Sequence, residues 1–427
     1  MKRLLALAAV ILSGFCAQTV FASASVGPWS WKIGGDERFR AEYKEDFDFN
    51  GSRKDSGNLF LNRIRVNFNA LLRDEDFDRV AGIFVEGLDA QAGSYRLKGT
   101  ASQKDDFDLH QAFLDLYDIL DSGFGLKAGR QEMKYGKGRL IWASSWSNRI
   151  RHFDGAILQY RRSAFSLDFL YGQDVKFKDG HFNRSHPQEF LAGVYGGYQK
   201  GPGFPGLEGY ILTQAVTNVS SKAKRYTAGF RAYGALTQGW GFDVEVPYQF
   251  GSIGSRTISA YAIHADVSYG RDQAAWKPRL TLEYNEATGD KDPDDGTSGT
   301  FIPLYQSTHE PYGIMDFFRW QNMREVALSL EVSPVKKWKF ISQVNIFWLE
   351  SVSDSWVNSS GAVVRSSAGN DADSHVGNEV SLRAEYEAFR NVKFEAGVAR
   401  FFTGPYVRAT GPDDDAGWVY FQVVAKY

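Results

Sequence analysis

The sequence predicts an all-β protein: a transmembrane antiparallel β-barrel of about 18 strands with short periplasmic turns and long extracellular loops. Three observations support this: strand-length alternation of apolar and polar residues, connections that alternate between short and long, and a closing strand that ends on an aromatic residue. The mean hydropathy of -0.36 resembles that of a soluble chain, yet aromatic residues make up 15% of the sequence. A barrel explains both values, because only one face of each membrane strand meets lipid.

The N-terminus has the pattern of a secretory signal peptide. Lys2 and Arg3 precede an apolar run over residues 4–15, and small residues follow it. We therefore expect residues 1–24 to be a signal peptide and residues 25–427 to form one outer-membrane barrel.

Cysteine content and charge exclude several classes of function. The one cysteine, Cys16, lies in the predicted signal, so the mature chain can form neither a disulfide nor a thiolate metal site. Removing Lys2 and Arg3 takes the formal charge from -2 to -4, which is too close to balance to predict binding to nucleic acid. Any electrostatic effect must be local.

Alternation with period two starts in the first predicted strand and recurs along the chain. Phe39 and Tyr43 share one face of that strand, whereas Arg38 and Arg40 share the other. The predicted strands are about 10 residues long. This is close to the length with which a tilted strand spans a bilayer, and it is longer than the usual strand of a soluble protein, which has about 5 to 6 residues. A secreted β-sandwich or propeller is the alternative fold, because alternation alone does not separate it from a barrel.

The connections between strands fall into two groups, as in bacterial outer-membrane barrels. The short connections are predicted at residues 73–78, 118–122, 161–164, 237–241, 333–337 and 388–391. The long polar connections are predicted at residues 45–58, 89–106, 134–151, 173–189, 287–319, 353–375 and 403–416. The brief link at residues 251–255 lies on the long-loop side and breaks the rule.

The C-terminal strand supplies the third observation. Val419, Phe421, Val423 and Ala425 alternate with their neighbours up to the terminal Tyr427. A chain that ends on an aromatic residue in strand register resembles an outer-membrane assembly signal. We therefore predict the bacterial outer membrane as the location.

Several arginines fall on the polar face of the predicted strands. Because a charged side chain costs about 2 to 4 kcal/mol at the lipid midplane, these arginines must face the lumen. They are Arg38, Arg40, Arg63, Arg65, Arg231, Arg279 and Arg383. Guanidinium groups pair with carboxylates through two parallel hydrogen bonds, so the set predicts a path for anionic solutes. The alternative is a structural network in which the arginines pair with lumen acids such as Asp36, Asp243 and Glu283.

The most specific segment covers residues 129–155. It contains Gly-Arg-Gln at 129–131, Trp146 with Asn148, and Phe-Asp-Gly at 153–155. In this segment, and in the opening strand Asp-Glu-Arg-Phe-Arg-Ala-Glu at 36–42, the chain resembles the alginate export porin family.

The resemblance implies a monomeric 18-stranded barrel that exports an anionic polyuronate through an electropositive constriction. It also implies roles for individual residues. Arg130, Arg139 and Arg151 would belong to the substrate path at the constriction or would anchor a loop there. Trp146, Asn148 and Asp154 would anchor an inward loop.

The leading functional hypothesis is a passive channel for an anionic solute, with an alginate-like polyuronate as cargo. A general or small-organic-acid porin with a structural arginine network is the second hypothesis. A barrel-anchored surface enzyme or adhesin is the third, and it would use His181 and Ser185 in an outer loop. We expect no enzymatic activity, because no nucleophile motif accompanies the histidines.

The expected partners follow from the location and the charge pattern. They are outer-membrane lipid and lipopolysaccharide, an anionic polysaccharide or organic acid, and, by resemblance, periplasmic export components. No cofactor and no metal site are predicted. The acidic segment 290–296 resembles a calcium loop, but Phe301 stands where a bidentate glutamate is needed.

Overall fold

The computed structural model describes residues 23–53, 56–74, 76, 78–97, 100–201, 203–218, 221–366 and 372–427. Within these residues the chain forms eighteen long strands. They are β1 (Trp29–Glu45), β2 (Gly57–Arg73), β3 (Arg79–Tyr95), β4 (Asp105–Leu116), β5 (Phe124–Gln131), β6 (Phe153–Arg162), β7 (Phe165–Lys176), β8 (Arg184–Tyr198), β9 (Gly206–Asn218), β10 (Ser221–Thr237), β11 (Trp240–Ile253), β12 (Arg256–Gly270), β13 (Arg279–Ala287), β14 (Met323–Val332), β15 (Trp338–Trp348), β16 (His375–Phe389), β17 (Val392–Thr403) and β18 (Ala416–Lys426).

The strands close into a barrel. Each strand pairs antiparallel with the next along the chain, and β18 returns to pair with β1 from Asp36 opposite Lys426 to Glu45 opposite Gly417. Closure leaves no unpaired sheet edge, which is the condition for a β-structure to cross a membrane. The predicted fold class and strand number are confirmed.

The two faces of the wall differ in the way the sequence predicted. On the outer face, Phe230, Leu282 and Leu382 expose about half of their surface, at 50%, 50% and 49%. On the inner face, Arg231 and Asn285 are 3% and 0% exposed. The polar face is therefore enclosed by the barrel, and the apolar face surrounds it.

The connections also divide by barrel end as predicted, although the strands extend further than the sequence indicated. β3 continues to Tyr95 and β7 to Lys176, so parts of the predicted loops 89–106 and 173–189 are strand. The extension of β3 carries Asp89 and Gln91 on its outward face, because this part of the wall stands above the apolar band of the membrane, while Ala90 and Ala92 are buried on the other face. Hydropathy therefore does not mark where these strands end.

The remaining elements are short. They are strands at Ser23–Val26, Thr297–Ser298, Trp356–Val357 and Val363–Arg365, one helix α1 (Pro405–Thr410), and 3₁₀ turns at Thr100–Gln103 and Ile119–Asp121. No helix in the described part of the chain is both long and apolar enough to be a membrane span. The predicted signal peptide lies almost wholly outside the described residues, and its cleavage remains a prediction.

Candidate functional site: a constriction built from two inward loops

Two long outer loops fold into the lumen and join there. Loop A is residues 132–152, between β5 and β6, and loop B is residues 288–322, between β13 and β14. The amide of Trp142 donates to the carbonyl of Tyr305 over 2.8 Å, and the amide of Tyr305 donates to the carbonyl of Leu140 over 2.7 Å. The two loops therefore form one hydrogen-bonded unit inside the barrel.

Apolar packing holds this unit together. Ile141 of loop A is 1% exposed, and Phe301 and Trp320 of loop B are fully buried in the same apolar cluster. Burying these apolar side chains away from water stabilises the unit by about 25 cal/mol per Å² of apolar surface. Much of the outer half of the lumen is thus occupied by a folded core.

Loop A begins and ends at a row of glycines in the wall. Gly129 pairs with Gly155, and Gly155 pairs with Gly172. Gly129 has φ +131, and a Cβ there would lie 2.2 Å from the carbonyl oxygen of Ala112. A Cβ on Gly172 would lie 2.7 Å from Cε of Met133. Gly172 therefore lets Met133, at the base of loop A, lie directly against the wall, whereas Gly129 has a left-handed backbone conformation with no room for a Cβ beside the neighbouring strand.

Arginines of β1 and β2 hold the tip of loop A through its backbone. Arg38 donates from Nη1 to the carbonyls of residues 145 and 146 over 2.9 and 2.6 Å, and Arg40 donates to the carbonyl of 146 over 2.8 Å. Arg63 donates to the carbonyls of 145 and 147 over 2.7 and 2.9 Å. All three arginines are nearly buried, so these charge-assisted bonds are shielded from water.

Asn148 anchors the loop with its side chain. Its Oδ1 accepts from Arg38 over 2.9 Å, and its Nδ2 lies 2.9 to 3.3 Å from the carbonyls of Asn62, Gln91 and Gln103. The residue is fully buried. One side chain therefore links loop A to β2, β3 and the turn that follows β3.

Trp146 lies where loops A and B meet the wall. Its ring stacks on His309 of loop B with centroids 3.8 Å apart, and the guanidinium of Arg40 lies 3.7 Å from its centroid. The ring of Tyr420 in β18 lies nearly perpendicular to the Trp146 ring, with their centroids 5.0 Å apart. Trp146 thus packs between the cation and the second loop, an arrangement that contributes cation–π attraction as well as apolar contact.

The opposite wall holds loop A through Arg139. Its Nη1 donates to Glu245 over 2.9 Å and lies 3.6 Å from Asp243. Its other terminal nitrogen contacts His264. Burial opposes the charge of Arg139, but Glu245 and Asp243 outweigh it and raise the pKa of the guanidinium above its usual value. Loop A is therefore fixed on both sides of the lumen.

The other predicted arginines have a range of partners. Arg130 forms a two-point ion pair with Asp154 over 2.7 and 3.0 Å, and it also donates to the carbonyl of Asn183 in the next outer loop. Arg231 pairs with Asp243 over 2.5 Å and with Glu208 over 2.8 Å.

Four more arginines lie nearer to water. Arg65 pairs with Asp36. Arg383 pairs with Glu310 of loop B. Arg279 lies at the periplasmic end, where its Nη1 donates to the hydroxyl of Ser268 over 3.4 Å. Arg151 donates weakly to the carbonyl of residue 306 over 3.4 Å and lies 5.1 Å from the ring centroid of Tyr305.

Two cavities meet in the lumen, and we take the boundary between them as the candidate constriction. The periplasmic cavity measures about 690 Å³ and the outer cavity about 450 Å³. Trp142, Ser144 and Trp146 line both, so the constriction lies at the tip of loop A. Residues 306–309 of loop B form its other side.

Basic residues outnumber acids on both sides of this constriction. The periplasmic cavity is lined by eight basic residues (Lys or Arg) and five acidic residues (Asp or Glu). The outer cavity is lined by four basic and two acidic residues. This excess of positive charge creates a positive electrostatic potential in both cavities, and the low-dielectric barrel wall concentrates the field along the path.

Two clusters in the wall bring together side chains of the kind that bind metals. They are Glu86, His110 and Glu132, and Asp243, His264 and Asp266. Arg65 lies 3.9 Å from Glu86 and 3.8 Å from Glu132, and Arg139 contacts the second cluster. Because these cations already balance the acids, both clusters fit ion-pair networks better than metal centres.

The model of the family described as alginate export matches residues 30–420. The chain belongs to the alginate export family. No match is found among functionally curated proteins. The family assignment and the closed barrel together place the protein in the bacterial outer membrane as a channel-type barrel.

Solved structures of Pseudomonas aeruginosa outer-membrane proteins share the fold. OpdO is 13% identical with a TM-score of 0.60, and the match covers 93% of this chain and 97% of OpdO. OccK5 (OpdH) is 11% identical with a TM-score of 0.60, covering 93% and 98%. OpdQ is 10% identical with a TM-score of 0.59, covering 93% and 97%. At these identities the likeness concerns the fold alone.

The sequence prediction missed several residues that the fold brings to the lumen. Loop B supplies His309 and Arg319, although its sequence predicted only a polar connection. Arg225 shares the polar face of its strand with Arg231, but it was not predicted as a site residue. Its distinguishing feature is a lack of acidic neighbours, and only the register of strands and loops reveals that.

Proposed function

We propose that the barrel is a passive channel for anionic solutes, with an alginate-like polyuronate as the leading cargo. The excess of basic residues on both sides of the constriction supports this proposal most directly. An anion entering either cavity meets a favourable potential before it reaches the narrow region.

The arrangement separates two tasks among the arginines. Arg38, Arg40 and Arg63 donate to loop backbone, so they fix the width of the constriction while their charge still acts on the path. Arg151 makes only a weak contact and lines the outer cavity, where it can pair with a passing carboxylate. Membership of the alginate export family fits a cargo that carries one carboxylate on each sugar.

A small-organic-acid porin is the second candidate. The hydrogen bonds between loops A and B favour it, because a polymer can pass only if the constriction is wide enough with both loops in place. No observation favours the surface-enzyme alternative. His181 is exposed, and its Nδ1 lies 3.3 Å from the backbone carbonyl of Asp179.

The test is block of single-channel current in a planar bilayer by a defined oligouronate. The matched control is a neutral oligosaccharide of the same length. We expect block by the oligouronate at concentrations that leave the current unchanged with the neutral sugar. Equal block by both would contradict anion recognition, whereas permeation of small acids without block by the oligouronate would favour the second candidate.

A further inference from the structure

A separate cavity of about 400 Å³ lies on the outer side of the constriction, between loop B and the wall formed by β9 and β10. Three arginines line it: Arg151 of loop A, Arg225 of β10 and Arg319 of loop B. No acidic residue is among its described lining residues. This composition differs from the rest of the lumen, where lysines and arginines are mixed with acids.

Arg225 is the most unusual of the three. It is 5% exposed, yet its side chain makes no hydrogen bond or ion pair with any described residue, and its Nε is buried without an acceptor. Arg231, six residues along the same strand, is equally buried but pairs with Asp243 and Glu208. Burying an unpaired charge costs several kcal/mol, so a wall built only for rigidity would supply an acid here.

Arg319 and Arg151 also keep unused donors. Arg319 donates from Nη2 to the carbonyl of Pro303 over 3.0 Å, while its Nε lacks an acceptor. Burial and the positive charges of Arg151 and Arg225 lower the pKa of Arg319 to about 10. The guanidinium therefore stays protonated at neutral pH, and the three charges repel one another within the same cavity.

We propose that this cavity is a binding site for carboxylate groups of the transported solute. The inference rests on the proposed anionic cargo and assigns it a holding place on the outer side of the constriction. A carboxylate would accept two parallel hydrogen bonds from a guanidinium and would relieve both the repulsion and the unpaired burial.

The site is continuous with the conduction path. Arg151, Gln306 and Thr308 line both this cavity and the outer cavity next to the constriction. Gln306 and Thr308 add an amide and a hydroxyl that can hydrogen-bond the hydroxyls of a sugar acid. A solute that has passed the constriction can therefore reach the three arginines without a change in the barrel wall.

The experiment compares wild-type protein with Arg225→Met in planar bilayers, with glucuronate, an oligouronate, succinate or glucose added on the outer side. We expect the carboxylates to block wild-type current and glucose not to. In Arg225→Met, half-block should need about tenfold more carboxylate, which corresponds to the loss of about 1.4 kcal/mol. The matched control is Arg162→Met, which removes an exposed arginine at the opposite barrel end.

The outcomes separate this inference from the proposed function. Wild-type protein that shows neither anion selectivity nor block contradicts the proposed function itself. An anion-selective wild type whose carboxylate block is unchanged in both Arg225→Met and Arg319→Met contradicts the site alone. If Arg225→Met does not fold, Arg319→Met in loop B decides the question. Stronger block by the oligouronate than by succinate identifies a uronate chain as the source of the carboxylates, and the reverse identifies small organic acids.

Discussion

At the scale of the residue, the lumen arginines fall into groups that the sequence could not separate. Alternation along a strand places Arg225 on the same face as Arg231, whose inward orientation was predicted. Whether each one has a partner depends on residues 12 to 23 positions away, as Asp243 and Glu208 are from Arg231. Arg231 is therefore paired in the wall, whereas Arg225 lines a cavity without a described partner, and the path for anionic solutes stays a prediction.

The first prediction compares these two arginines. Arg231→Met leaves Asp243 and Glu208 without their main cation and should destabilise the barrel by about 3 to 5 kcal/mol. Arg225→Met removes a buried charge that has no described partner, so the stability should stay the same or rise. Urea unfolding of the refolded proteins in detergent measures both. A larger loss for Arg225→Met than for Arg231→Met would contradict the assignment.

The second prediction concerns His152, the last residue of loop A. Burial, and then the neighbouring His110, lower the pKa of His152 to about 3. Because the unfolded pKa is about 6.5, the folded state binds the proton less well, and the stability from neutral His152 is complete above pH 6.5 and falls as the pH drops toward 3.

The measurement is the difference in unfolding free energy between pH 7.5 and pH 4.5. We expect His152→Phe to lose about 3 kcal/mol less than wild type over this interval, since pH 4.5 lies about two units below the unfolded pKa and each unit corresponds to about 1.4 kcal/mol. The exposed His181→Phe is the control and should follow wild type. An identical pH dependence in His152→Phe would show that other groups account for acid sensitivity.

At the scale of the element, the strands were predictable and the inward loops were not. A strand's faces follow from local alternation, and the lipid fixes which face is apolar. Loops A and B instead acquire their structure from contacts between positions about 160 residues apart, such as Trp142 with Tyr305. The sequence signalled loop A through its glycines and Asn148, but its partner loop carried no comparable pattern.

The third prediction tests the anchoring of loop A. Asn148→Ala leaves Arg38 without one acceptor and removes the two N–H donors that three nearby carbonyls share, at a cost of about 1 to 3 kcal/mol for each buried group left unsatisfied. We expect larger fluctuations of single-channel current as the loop tip moves. Asn391→Ala is the control, because Asn391 is an exposed residue in a periplasmic turn. Current traces of Asn148→Ala as quiet as wild type would argue that the arginines alone hold the loop.

At the scale of the whole molecule, closure of eighteen strands creates the enclosed lumen that gives these charges their effect. The strand number and the wet interior followed from the sequence, because membrane strands obey a simple pattern of length and alternation. The width of the path did not follow, since it depends on how two loops pack inside the barrel. The net charge of the chain is also uninformative, because the basic excess is local: it lies in the cavities on both sides of the constriction and in the cavity of Arg225.

The most direct test of the account is the reversal potential of the refolded wild-type barrel in a planar bilayer under a potassium chloride gradient. The basic excess on both sides of the constriction predicts selectivity for chloride over potassium, weakening as salt rises because the charges are screened. Selectivity for potassium would contradict the account and would reduce the arginines to structural elements of the wall.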